Sequence, residues 1–192
     1  MITGFLIIFN LIFGFIGQPD KNGNGKLDQF ISTQNVLYDK QIVEKYIDFI
    51  PIFKYLNNYN TYEQAKIKAK VPHKNAISYG LTVYQRIYSF RYTYKNEKIC
   101  QASVDSFLNC VGIMCSKIVR GQNGSAKIPT SIIIINKMDI IISEIECTQV
   151  DSKWDRYKKD LVDYFAEDSA DIIETKCGGV FWTNKVKIKN GL

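Results

Sequence analysis

SIIIINKMDIIISEIEC, residues 131–147, can be read as wound or extended, and the architecture turns on which. Wound into a helix, it would align Ile135, Met138, Ile142 and Ile145 in one stripe. Extended, it shows four isoleucines at 132–135 and three at 140–142 around a turn-like Asn136-Lys137-Met138-Asp139. A side chain branched at Cβ loses rotamer freedom in a helix and is comfortable on a pleated sheet, so we read a β-hairpin. The hairpin implies an α+β fold, a mainly antiparallel sheet packed with helices. The wound reading would imply an all-α helical bundle.

The flanking segments favour the sheet. From Ile87 to Lys95 the residues alternate, with Tyr88, Phe90, Tyr92 and Tyr94 on one side and Ser89, Arg91, Thr93 and Lys95 on the other. Period two over this length is a strand signal, and Leu81–Tyr84 extends the strand or forms its neighbour. The aromatic side is expected to be core. Its alternative is a stacking surface beside Arg86 and Arg91. Val180–Lys189 reads as a further strand after Gly178-Gly179.

Three stretches read as helices. Asn35–Ile50 places Val36, Val43, Ile47 and Ile50 on one side and is closed by Pro51. Glu97–Val119 carries Cys100, Val104, Phe107, Val111, Met114 and Ile118 at three- and four-residue steps, up to a loop at Gly121-Gln122-Asn123-Gly124. Ser152–Ala166 buries Trp154, Tyr157, Leu161, Val162 and Phe165, with Ser152 as its cap and Asp155 in its first turn. Asn60-Thr61-Tyr62-Glu63 fits a capping box that opens a short helix, although Ala65, Ile67, Ala69 and Val71 then alternate with lysines.

Residues 1–17, MITGFLIIFNLIFGFIG, carry no charge. At ~1.5 Å per residue this run reaches about 25 Å as a helix, short of a hydrocarbon core of roughly 30 Å. We read it as a secretory signal peptide cut at Gly14 or Gly17, with an uncleaved N-terminal membrane anchor or a buried core helix as alternatives. Behind it come a polar segment at 18–34 and one globular domain over 35–192. The expected address is secreted, or membrane-anchored if the leader stays. The net charge of +6 is compatible with an anionic partner and well short of a nucleic-acid signature.

An exported chain meets an oxidising compartment, where cysteines pair. Cys100, Cys110, Cys115, Cys147 and Cys177 are odd in number, so one stays reduced. If 97–119 is a single helix, Cys110 and Cys115 lie ~7.5 Å apart along its axis and cannot join. Cys147 and Cys177 would then bridge to the helix, giving at most two bonds. No CxxC spacing occurs and His73 is the single histidine, which argues against a zinc site.

Asp20-Lys21-Asn22-Gly23-Asn24-Gly25-Lys26-Leu27-Asp28 resembles an EF-hand or dockerin-type calcium loop. The resemblance implies oxygen ligands from Asp20, Asn22, Asn24, the Lys26 carbonyl and Asp28, with Gly25 at the sharp turn. Ile31 stands where that family places an acidic ligand. No cofactor other than calcium is implied.

Asn123-Gly124-Ser125 is a glycosylation sequon in a loop. Two basic stretches, Lys66, Lys68, Lys70 and Lys185, Lys187, Lys189, suit an anionic glycan or lipid surface, or simply guard sheet edges against aggregation. Chemistry is sparsely supported. Cys177 with His73 is the available thiol–imidazole pair for a hydrolase, and Glu144 with Glu146 is a possible acid pair. The expected function is therefore binding, to a surface protein or glycan, with no nucleic acid involved. A thiol hydrolase and a calcium-responsive module are the alternatives.

Overall fold

The computed structural model describes residues 25–43, 55–73, 82–112, 114–183, 185 and 188. In chain order the elements are α1 (Lys26–Thr33), β1 (Tyr38–Gln41), β2 (Thr61–Ala69), β3 (Arg86–Thr93), α2 (Glu97–Asn109), β4 (Gly124–Ser125), β5 (Thr130–Ile135), β6 (Asp139–Ile145), α3 (Ser152–Phe165), β7 (Asp171–Lys176) and β8 (Gly179–Thr183). All eight strands join one sheet in the order β1-β2-β3-β6-β5-β7-β8-β4. Every pairing in it is antiparallel. The α+β expectation holds and the all-α alternative falls.

The isoleucine segment is the hairpin β5–β6, with Ile135 opposite Ile140 and Thr130 opposite Ile145. Every residue of both strands is buried because both faces of the sheet are covered. Ile132, Ile134, Ile141 and Ile145 meet α1 and α3 on one face. On the other face Ile133, Ile135, Ile140 and Ile142 meet α2. Asn136 holds the turn: its amide nitrogen donates to Asp139 Oδ1 at 2.7 Å and to the Phe165 carbonyl at 2.9 Å. The same side chain accepts from Glu167 N at 3.0 Å, tying the hairpin tip to the end of α3.

β3 agrees with its sequence reading and lies against β6, with Phe90 opposite Ile142 and Tyr92 opposite Ile140. Several expectations are corrected. The helix expected over Asn35–Ile50 is not formed at its start. α1 ends at Thr33, a turn follows, and β1 pairs with β2. Val36, counted on the apolar stripe of that helix, is 74% exposed. Residues 44–50 lie outside the described residues. α1 itself sends Leu27, Phe30 and Ile31 into the core, so part of the stretch read as a polar segment packs with the domain.

The capping box at Asn60–Glu63 is instead the start of β2, where alternation prevails because the strand is hydrogen-bonded on both sides. Glu63 does cap a helix, but α1: its Oε2 accepts from Leu27 N at 2.8 Å. The long helix at 97–119 stops at Asn109. Gly112 adopts φ +74°, and a Cβ there would sit 2.7 Å from the Lys127 carbonyl oxygen. That left-handed turn folds Val111 back to bridge with Ser116. The cap of α3 is Asp151, not Ser152; Asp151 accepts from Lys153 N at 2.8 Å and Trp154 N at 3.3 Å. The last strand ends at Thr183, short of the Lys189 expected.

Cysteine pairing follows from the early helix stop. Cys110 and Cys115 stand at disulfide distance with Cα atoms 4.1 Å apart. Cys147 and Cys177 do so with Cα atoms 5.5 Å apart. Two pairs and one left over agree with the arithmetic, whereas the partners differ from those expected. Cys100 is the unpaired cysteine, and it lies on the buried face of α2.

Candidate functional site

Alternation along β2 sends Ala65, Ile67 and Ala69 into the α1/α3 core, so Lys66 and Lys68 stand on the opposite face. There Lys66 lies beside Tyr88 and Lys68 beside Arg86 on β3. The Lys66 ammonium is 5.6 Å from the centre of the Tyr88 ring, and that of Lys68 is 4.0 Å from the Tyr84 ring. A ring face attracts a cation through its quadrupole while leaving N–H groups of the ammonium for another partner. Arg86 and Lys70 are exposed, and Lys70 is 3.7 Å from Asp39, itself across from Lys68 on β1. The result is a cationic, tyrosine-lined platform at the β1 end of the sheet.

One strand further in, Glu144 lies opposite Tyr88. It is buried, and its Oε2 has no hydrogen-bond partner among the described residues. Burial pushes its carboxyl up to about 7. Beyond it the aromatic row becomes core, as the strand pattern implied. Tyr92 and Tyr94 are buried, Tyr62 stacks on Phe90, and the Tyr94 hydroxyl lies 2.9 Å from Ser103 Oγ of α2. Of the two arginines read beside this row, Arg91 points to the other face, where it is held by Glu63 at 2.6 Å and Asp139 at 2.9 Å. Tyr84 was missed as a member of the platform. Its place three residues before the alternating run Ile87–Lys95, in phase with Arg86 and Tyr88, was the available signal.

The remaining candidates are scattered. Of the second basic stretch, Lys185 donates to the Ala166 carbonyl at 2.9 Å, and Lys187 and Lys189 lie outside the described residues. Lys26 and Asp28 form the first turn of α1; the Asp28 carboxylate pairs with Lys40, and Ile31 is in the core. Asp20, Asn22 and Asn24 lie outside the described residues, as does the apolar leader at 1–17. Among the described residues no group of three His, Cys, Asp or Glu side chains is placed to hold a metal.

Cys177 is matched with Cys147, and the Thr130 hydroxyl lies 3.4 Å from its sulfur. His73 is buried with Nε2 3.8 Å from Asp151 Oδ2. Burial works against the Asp151 ion, yet hydrogen bonds from Lys153 and Gln85 and the Lys153 charge hold its carboxyl below the usual value. His73 therefore belongs with the cap of α3 and not with a thiol. Asn123 is exposed, and its Oδ1 accepts from Trp182 N at 3.0 Å. Among the described residues no helix is long and apolar enough to cross a membrane.

No protein-family model matches the chain, and no curated protein or solved structure matches it either.

Proposed function

We propose that the protein is an exported binding module whose β2–β3 platform takes an anionic glycan. The observation that carries the reading is the placement of Lys66 and Lys68 over Tyr88 and Tyr84, with Arg86 alongside. A sugar acid or sulfated sugar offers two chemistries at once. Its ring presents C–H groups to a tyrosine, and its carboxylate or sulfate meets ammonium and guanidinium donors. The apolar, uncharged first seventeen residues support export, and the two cysteine pairs at bonding distance fit an oxidising destination where both are bridged. In the same setting Asn123 of the exposed sequon is an acceptor for an N-linked glycan.

Immobilised heparin, hyaluronate and neutral dextran test this. The protein is expected to bind the charged polymers, with retention falling as salt rises, and to ignore dextran. Replacing Lys66 and Lys68 together by alanine should weaken binding by about tenfold or more, since each charged contact contributes on the order of 1.5 kcal/mol. Equal retention of the double variant, or binding to dextran, would overturn the proposal.

A further inference from the structure

The opposite face of the sheet carries a second feature, a hollow of about 380 Å³ between α3 and β7. Its floor is a buried ion pair. The Lys158 side chain is 11% exposed and that of Glu174 3%, and the two are in direct contact. Burying two charges costs desolvation that an apolar pair of similar size would avoid, so such a pair is a poor device for stability alone. Here it has another consequence: the buried acid of the hollow is already paired. Glu174 is held by Lys158 and lies 3.8 Å from Lys176. Asp155 is 3.1 Å from Lys158, and Asp160 accepts from Gln34 at 3.4 Å.

The cations are not balanced in the same way. The lining contains Arg156, Lys158, Lys159 and Lys176 against Asp155, Asp160 and Glu174, an excess of one positive charge. The side chains of Arg156 and Lys159, one turn apart on α3, make no ion pair or hydrogen bond among the described residues. With Lys176 on the facing strand, they line one hollow from two walls with one guanidinium-bearing and two ammonium-bearing side chains. Several donors approaching from different sides match the oxygens of a tetrahedral anion better than the flat edge of a carboxylate. The volume lies at the small end of ligand sites.

We infer that the hollow between α3 and β7 binds a small organic molecule bearing a phosphate or sulfate ester. Arg156 and Lys159 grip the ester from the helix and Lys176 from the strand, while the neutralised Lys158–Glu174 pair forms a floor that does not repel it. The hollow is independent of the tyrosine platform, because α3 and the platform lie on opposite faces.

The test is a titration of isotope-labelled full-length protein, at constant ionic strength, with glucose 6-phosphate, glucose 6-sulfate, inorganic phosphate, inorganic sulfate and glucose. Saturating resonance shifts centred on Ser152–Asp160, Glu174–Lys176 and Ile188 are expected with the esters, and weaker ones with the inorganic ions. The tighter of the two esters identifies the natural group. Affinity should fall about tenfold or more in the double variant Arg156→Ala/Lys159→Ala. The exposed change Lys176→Ala on the other wall should cause a separate loss. Lys66→Ala/Lys68→Ala should leave this binding unchanged, which separates it from the glycan platform. Shifts that do not saturate, unchanged affinity in the Arg156 and Lys159 variant, or equal binding of glucose would overturn the inference.

Discussion

Glu144→Gln tests the electrostatics of the sheet most directly. The carboxyl lies between Tyr88 and Ser131 in neighbouring strands, buried, with Oε2 lacking a hydrogen-bond partner among the described residues. Desolvation raises it from an ordinary 4.5 to about 7 in the folded protein. Below pH 4.5 it is protonated in both folded and unfolded chains and costs nothing. Between 4.5 and 7 the folded chain retains a proton that the unfolded chain has released, so stability declines as pH rises. Above 7 the full cost remains, about 3 kcal/mol at 1.36 kcal/mol per pH unit. Glutamine has nearly the same shape and no charge to bury. The variant should therefore match the parent at about pH 4 and exceed it by up to about 3 kcal/mol at about pH 8. Urea unfolding followed by the fluorescence of buried Trp154 measures both values. A stability difference that is the same at the two pH values, or one favouring the parent in base, would refute the reasoning.

Other expectations concern packing and covalent state. Gly112→Ala meets both a left-handed backbone and the Lys127 carbonyl, and should lower stability by about 1–3 kcal/mol in the same unfolding assay. Tyr157→Phe removes a hydroxyl lying 2.7 Å from Ser89 and 3.3 Å from Ser143 while those serines keep each other at 2.8 Å. The cost should be about 1 kcal/mol by thermal or urea unfolding. Burial, together with nearby Asp139 and Glu97, pushes the Cys100 thiol up to about 12. Exported, unreduced protein should consequently resist iodoacetamide when folded and take one label per chain when unfolded; four or five labels would remove the bridges. Protein secreted from cells that carry out N-glycosylation should lose a glycan's mass on Asn123→Gln, and an unchanged mass would show that the sequon is unused.

The strand at β3 was legible because one of its faces is polar enough to keep the period of two: Ser89 and Arg91 alternate with Phe90 and Tyr92. The hairpin needed a steric argument instead. Covered on both faces, Ile132–Ile135 has no polar alternation, and a continuous apolar run does not distinguish a strand from a buried helix. The start of the helix expected at 35–50 shows the opposite hazard, a helical spacing of apolar residues overridden over 38–41 when β1 found a partner in β2. The cysteine pairs failed for a related reason. Spacing along an assumed helix excluded Cys110–Cys115, and the chain had already left the helix at Asn109. Lys66 and Lys68 were read as one basic stretch, but their setting over Tyr88 and Tyr84 depends on strand register.

Composition, alternation and β-branching were enough to specify a mixed antiparallel architecture, its aromatic core strand and one cysteine in excess, because these are properties of neighbouring residues and their sterics. Which strands meet, which sulfurs approach each other and which charges gather in one hollow are contacts between residues far apart in the chain. Glu174 and Lys158 are separated by a strand boundary and brought together by packing α3 on β7, a juxtaposition that local chemistry does not encode.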